Sequence, residues 1–457
     1  MADTYLTRNM TTKGSSIYGT FSCWFKLANS STGATNGFLS HYYSGAYFFD
    51  INMQSGNIEV ADYRTAYILR KRTTAKYRDP NAWYHLYVAI DRSLATAADR
   101  CKIYVNGERV TDFQSSEDQD YSQQTSGGHS SVISMNNNYN ARVGIRYGGS
   151  KFDGILSHMY WVDGSVIALS EFGETDSTTG EWKIKTNPTI SSYGTNGFLI
   201  LKDGDTITDQ SGGSYDFTSN GTGVTNTEDC PSNVFCTMNP LMNYQNGSPS
   251  FSIGNNRVDG SGTAWMRTVG TLGNRTGKFY YEALITTYYG DSRPIRLGWD
   301  SIDFINPGSD NYYSGFTISS DGYIRGGING HSGYDPNGTS LGGSFTQGDY
   351  LGFAIDLDND LIYCYKNGTV FSGTNGLDIS SNTNCSIKNS HGYQVSPSMN
   401  FYSVNAGDNK VDFNFGNGSF GTTELTGTTY NDSQGNGVFK YQPPTNYLAW
   451  CTKNFNV

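Results

Sequence analysis

Alternation at period two is the clearest pattern along the chain. Residues 348–370 read GDYLGFAIDLDNDLIYCYKNGTV. Leu351, Phe353, Ile355 and Leu357 fall on one face of an extended segment, with Tyr350, Gly352, Ala354 and Asp356 on the other. Asp358-Asn359-Asp360 predicts a tight turn, because short Asx side chains bond nearby backbone and tolerate unusual dihedrals. Leu361, Tyr363 and Tyr365 then alternate back to Asn367-Gly368, a strong hairpin signal. The same plan recurs over residues 83–110, where Ala89-Ile90-Asp91 matches Ala354-Ile355-Asp356 and Tyr104-Val105-Asn106-Gly107 matches Tyr365-Lys366-Asn367-Gly368. A repeat at such long spacing predicts two similar domains, not a solenoid of short units.

Other segments extend the pattern. Residues 20–27 alternate aromatic with small polar residues, placing Phe21, Cys23 and Phe25 inward. Residues 38–50 form a dense aromatic block with Tyr42, Tyr43, Tyr47, Phe48 and Phe49. Residues 114–140 are rich in Ser, Gln, Gly and Asn and predict an exposed loop, so Glu117, Asp118 and Asp120 are expected to be solvated. Arg70-Lys71-Arg72 is the one dense basic run, expected on a strand edge where charge blocks further pairing. Residues 167–172 suit one helical turn. The tail, residues 439–457, carries Tyr441, Tyr447, Leu448 and Trp450 and is expected to pack back on its domain.

Composition fits this reading. The 457 residues include 55 Gly and 34 Tyr, with only 16% charged, as in short strands joined by many turns. The expected class is all-β, in two domains at 1–205 and 236–457 with a connector at 206–235. A formal charge of −10 argues against a nucleic-acid or anionic-membrane partner, since either needs a basic footprint. The opening lacks an apolar leader and no run reaches membrane-spanning length, so folding in a cytoplasm is expected, without membrane insertion. The seven cysteines have no paired metal spacing; Cys101 and Cys364 are expected as small buried hydrophobes, and Cys230 and Cys236 as free thiols.

At these motifs the chain resembles known families. Residues 83–92, 103–110 and 143–172 resemble the laminin-G-like, concanavalin-A-like lectin module: its tryptophan-led strand, its YVNG hairpin and its closing GGxxFxGxLxxxxxxDGxxxxxxxF segment. Gly277 to Glu282, Leu297-Gly298-Trp299, the 348–368 hairpins, Ser396-Pro397 and Phe413-Asn414-Phe415-Gly416 resemble a SPRY domain. The joint, with Tyr193-Gly194-Thr195-Asn196-Gly197-Phe198, residues 209–220 and Pro240-Leu241, and the ending at residues 439–445, are similar to virion proteins of tailed phages, especially marine ones. The resemblance implies two concanavalin-A-like or jelly-roll sandwiches and a particle-surface role.

Chemistry is sparse. Asp356, Asp358 and Asp360 have the alternate spacing of glucanase carboxylates, yet two of them sit in a turn. The six histidines lack ligand spacing, and His85, beside Trp83 and Tyr87, reads as a structural histidine. No cofactor is expected. Loop calcium at residues such as Asp153 and Asp163 has no diagnostic spacing. Sugar recognition needs flat aromatic faces with short amides and carboxylates. Tyr288, Tyr289, Tyr312, Tyr313, His331 and Tyr334 are the candidates in the second domain, Tyr42 and Tyr43 in the first, against a core or subunit-contact role for each.

The expectation is a non-enzymatic virion surface protein, either capsid decoration or a tail fibre or spike component, binding host-surface glycans or neighbouring virion proteins. The chain begins its first domain almost at once, so attachment would run through the sandwiches, as a homo-oligomer or within a larger assembly. A polysaccharide depolymerase using Asp356 and an intracellular SPRY adaptor are the alternatives.

Overall fold

The computed structural model describes residues 4–28, 35–45, 47–124, 133–202, 207–221, 224–242, 247, 249–260, 264–290, 294–303, 315–326, 340–380, 387, 389–403, 405 and 407–455. The chain divides into two compact units, Met1–Thr225 and Asn226–Val457. Each is a sandwich of two sheets.

In the first unit an eight-stranded sheet runs in the order Phe113–Gln119, Tyr67–Thr73, Asn57–Arg64, Tyr47–Gln54, Thr35–Ser44, Asn140–Val143, Tyr5–Asn9, Thr218–Asn220. It faces a six-stranded sheet ordered Phe198–Ile200, Gly154–Asp163, Tyr18–Leu27, Tyr84–Asp91, Cys101–Val105, Glu108–Arg109. Alternation builds the layers: Phe49, Ile51 and Met53 of one strand enter the shared core with Phe21, Cys23 and Phe25 of the opposite sheet. Their neighbours Phe48, Asp50 and Asn52 are thereby turned to the outer face.

In the second unit Lys278–Thr287 lies between Lys410–Asn414 and Tyr350–Asp356, the latter continuing to Leu361–Lys366 and Thr369–Val370. Opposite it stands a five-stranded sheet, Ala264–Val269, Val395–Ser403, Ile295–Ser301, Phe316–Ser319, Ile324–Gly326. Tyr281, Phe353, Trp299 and Phe413 meet in the core between them.

The two repeat hairpins share one device. Asn106 and Gly107 adopt φ of 49° and 83°, Asn367 and Gly368 φ of 49° and 82°. These are the left-handed pairs of a two-residue hairpin turn. Asn106 Oδ1 accepts the His85 N–H at 2.7 Å, and Asn367 Oδ1 accepts the Tyr350 N–H at 2.9 Å. Both glycines also lie under a later aromatic: an added Cβ would come within 2.5 Å of Trp182 at Gly107 and 2.7 Å of Tyr441 at Gly368.

Those aromatics belong to a third layer in each unit. Phe172, Leu169 and Tyr193 pack on Tyr87, Tyr160 and Leu199, covering the outside of the six-stranded sheet. Phe439, Tyr447 and Ala449 pack on Tyr280, Ala354 and Tyr363 in the second unit. There Leu448–Ala449 pairs in parallel with Lys278–Thr287, and Trp450 is buried in the main core. The buried Glu282 accepts the N–H of Lys440 at 2.9 Å and of Tyr441 at 2.8 Å, holding the tail.

Two expectations are corrected. Part of the 114–140 loop is a strand, Phe113–Gln119, and it pairs with Tyr67–Thr73, so the basic run is not an edge. Charge is the reason. Lys71, 2% exposed, reaches Asp118 at 2.5 Å and Asp120 at 2.7 Å, while Arg70 and Arg72 reach Glu117 at 2.6 and 2.7 Å. The acidic segment is recruited as the next strand because it neutralises a half-buried cationic one. Ile167 to Phe172 contains the expected turn, a 3-10 segment at Leu169–Glu171. Cys101 and Cys364 are buried, and burial pushes the Cys101 thiol up to about 12.

Candidate functional site

With the six-stranded sheet covered, the outer face of the eight-stranded sheet carries the polar rows of the first unit, with Phe48, Ser40, Asp50 and Ala61 at its centre themselves buried. Register sets its residues in rows. One row runs Tyr67, Tyr63, Phe48, Tyr42, Asn140, Asn9 across six strands. The next runs Arg70, Ala61, Asp50, Ser40, Arg142, Thr7, Thr218.

The first row changes character along its length. Phe48 lies against Tyr63 with ring centroids 5.1 Å apart and takes Tyr147, from the loop beyond, at 3.8 Å and 8°. Arg146 sits 4.7 Å over the Tyr147 ring. Further along, Tyr42 carries the Arg142 guanidinium at 4.8 Å, and the exposed amides of Asn140 and Asn9 follow. Phe48 is buried, its ring taken by Tyr63 and Tyr147. The groups left toward solvent are the part-exposed rings of Tyr42, Tyr63, Tyr67 and Tyr147 and the amides of Asn140 and Asn9. These are the kinds of group that meet a pyranose: ring to apolar sugar face, amides to hydroxyls.

Beneath the stack lies an ionic cluster. Glu59, 1% exposed, accepts Arg70 at 3.1 Å and Arg72 at 2.7 Å, and Asp50 accepts Arg146 at 3.1 Å. Asn52 Nδ2 donates to Asp50 at 2.8 Å. Burial pushes the Asp50 carboxyl well above its ordinary range, against the pull of Arg146. At the other end, around Arg142, a groove of about 550 Å³ is lined by Thr7, Asn9, Asn140 and Thr218, with Arg8 and Asp216 at its side.

The sequence candidates scatter. Tyr42 belongs to the row, but Tyr43 turns away, stacking on Tyr139 at 4.2 Å and meeting Tyr47 edge-on at 6.3 Å. Tyr288 packs against the core of the second unit, and Tyr289 is 58% exposed with its N–H donated to Asn409. Tyr312, Tyr313, His331 and Tyr334 lie outside the described residues. Phe48, Tyr63, Tyr67 and Tyr147 stand outside the sequence candidates, although FFDINMQ alternates core residues with Phe48, Asp50 and Asn52.

Groups that could have been catalytic are engaged in structure. Asp356 Oδ1 accepts the N–H of Asp358 and of Asn359, both at 3.1 Å, and its carboxylate pairs with Lys278 at 2.7 Å. Burial would raise its pKa, but Lys278 and Asn359 outweigh it and hold the carboxyl below its ordinary value. Asp358 accepts the Gly277 N–H at 2.9 Å, and Asp360 occupies the turn at φ 56°. In the first unit His85 lies between Trp24 and Trp182, with Ser22 Oγ 2.8 Å from Nε2. Trp182 Nε1–H donates to Nδ1 at 3.0 Å, so the neutral ring carries its proton on Nε2 and donates to Ser22. His85 therefore cannot take the Ser22 proton. Asp163 accepts the N–H of Ser15 at 2.7 Å and of Asn196 at 3.0 Å. Among the described residues no three His, Cys, Asp or Glu side chains gather as metal ligands, and no helix is long and apolar enough to cross a membrane.

Residues 2–166 match the model of a family described as the concanavalin A-like lectin/glucanases superfamily, Laminin_G_3. The matched stretch makes up most of the first unit, whose two main sheets form a sandwich. Among solved structures, the SPRY domain of human HERC1 aligns at 17% identity over 42% of this chain and 99% of its own, with a TM-score of 0.26. A "putative carbohydrate binding protein" from Bacteroides ovatus ATCC 8483 aligns at 15% identity over 48% of this chain and 56% of its own, with a TM-score of 0.33. No curated protein matches the chain.

Proposed function

We propose that the chain is a non-enzymatic glycan-binding protein of a virion surface, with its sugar site on the outer face of the eight-stranded sheet. The observation that carries the glycan reading is the row of rings and amides from Tyr67 to Asn9, in a unit whose sequence matches a lectin and glucanase superfamily. Binding without turnover is favoured because Glu59 and Asp50, the acidic groups beneath the row among the described residues, are buried and held by Arg70, Arg72 and Arg146, away from its solvent side. The virion assignment rests on the tandem modules with their phage-like joint and ending, and it would bring other virion proteins as partners.

A glycan microarray probed with the full chain tests the binding. Retention of at least one glycan class is expected, with signal lost in Tyr147→Ala and kept in Tyr289→Ala. A blank array, or loss only in Tyr289→Ala, would overturn it. Mass spectrometry of purified particles tests the location: the polypeptide should be present, and its absence would remove the virion role.

A further inference from the structure

We infer that the groove at the amide end of this face takes an acidic sugar, its carboxylate seated on Arg142; this rests on glycan binding at the same face. The other outward guanidiniums are spent, Arg70 and Arg72 on Glu59 and Glu117, Arg146 on Asp50. Arg142 is different. Among the described residues it has no ion pair and no side-chain hydrogen bond; it lies 4.8 Å over the Tyr42 ring, and its charge bears on the buried His41. The chain carries 41 acidic against 31 basic residues, so an arginine left without an acid is not a consequence of shortage.

A guanidinium presents its N–H donors in a planar fork that matches a carboxylate, and a half-buried one without an anion has that donor set unspent. The groove around it supplies what the rest of a sugar needs. Thr7 is the register partner of Arg142, Thr218 follows beyond Thr7 in the same row, and Asn140 and Asn9 stand in the adjoining row. Arg8, at the groove's side, is occupied: it donates to the Asn196 carbonyl and lies 4.0 Å over Tyr215. Asp216 lines the same side, its Oδ1 accepting the Asp209 N–H at 2.9 Å. That carboxylate repels dense negative charge, so the fit is to one carboxylate per sugar, as in a uronate, and not to a polysulfated chain.

Isothermal titration of the full chain against a galacturonate tetramer and its methyl-esterified, neutral counterpart tests this. The acid should bind at least tenfold tighter at low salt, with the difference shrinking as salt rises. Arg142→Met should erase the difference. Asn140→Asp, which puts a repelling charge into the groove lining, should shrink the difference as well. Equal binding of the two ligands, or a preference surviving in both variants, overturns the acidic class and leaves glycan binding standing. Binding of neither overturns it as well, and only a blank microarray reaches the reading beneath it.

Discussion

Asn106 and Asn367 each do two jobs: they enter the left-handed region that begins a two-residue turn, and their side chains accept the N–H at the start of the partner strand. Replacing either by Ala removes a hydrogen bond and adds backbone strain, so each should cost about 1–3 kcal/mol by urea unfolding. Gly107→Ala should cost more than Gly180→Ala, although both glycines have positive φ, because only Gly107 lies under a ring. Equal costs would contradict the Trp182 contact. His41 and His85 are held by burial at about 3, far below an ordinary imidazole. Their contribution to stability is whole above pH 6.5, where both states are neutral. It falls as pH drops toward 3, by up to about 1.4 kcal/mol per unit for each, because only the unfolded chain takes the proton. Their ring resonances should stay fixed between pH 8 and 4; titration near 6.5 would contradict the burial. At this scale the turn residues were legible in sequence, since Asn-Gly between alternating segments is a local signal. Arg142 was not, because its lack of an acid partner is a property of distant segments.

At the scale of elements, two junctions depend on buried charge. Glu59 holds Arg70 and Arg72. Glu59→Ala would leave Arg70 and Arg72 with Glu117 alone and should cost about 3–5 kcal/mol, whereas exposed Glu174→Ala should be near neutral. Comparable small effects in denaturant titrations would mean the cluster is solvated. Glu282 is pushed up to about 7 by burial, against four donated hydrogen bonds, from an ordinary 4.5. A folded value above the unfolded one means its stability is present below pH 4.5 and lost as pH rises toward 7, by roughly 3 kcal/mol at most. Exchange of the Lys440 and Tyr441 amides should therefore quicken across that window beyond the intrinsic pH effect, and Glu282→Gln should abolish the excess. No excess in the parent chain would contradict the latch. Strands built on alternation were readable from sequence, but Phe113–Gln119 was not: its polar residues carry little β-propensity, and ion pairs to Lys71 and its neighbours make it a strand.

Across the whole molecule, one plan is used twice: two sheets, a shared hairpin, and a later segment laid over the sheet that carries it. Alternation, turn signals and a sparse charge content made the all-β class and the paired modules legible. The candidate site was legible only in part. Its row draws on Asn9, Tyr42, Phe48, Tyr63, Tyr67 and Asn140, which meet only through pairing registers that distant strands decide together. The loop tyrosines chosen from sequence had local context but no register to place them. A crystal structure of the chain soaked with an oligosaccharide selected on the microarray tests the central claim most directly. A sugar ring is expected on the outer face of the eight-stranded sheet, against Tyr42 or Tyr147 and within hydrogen-bond reach of Asn140 or Arg142. Density for the sugar on the second unit, with that face empty, would contradict it.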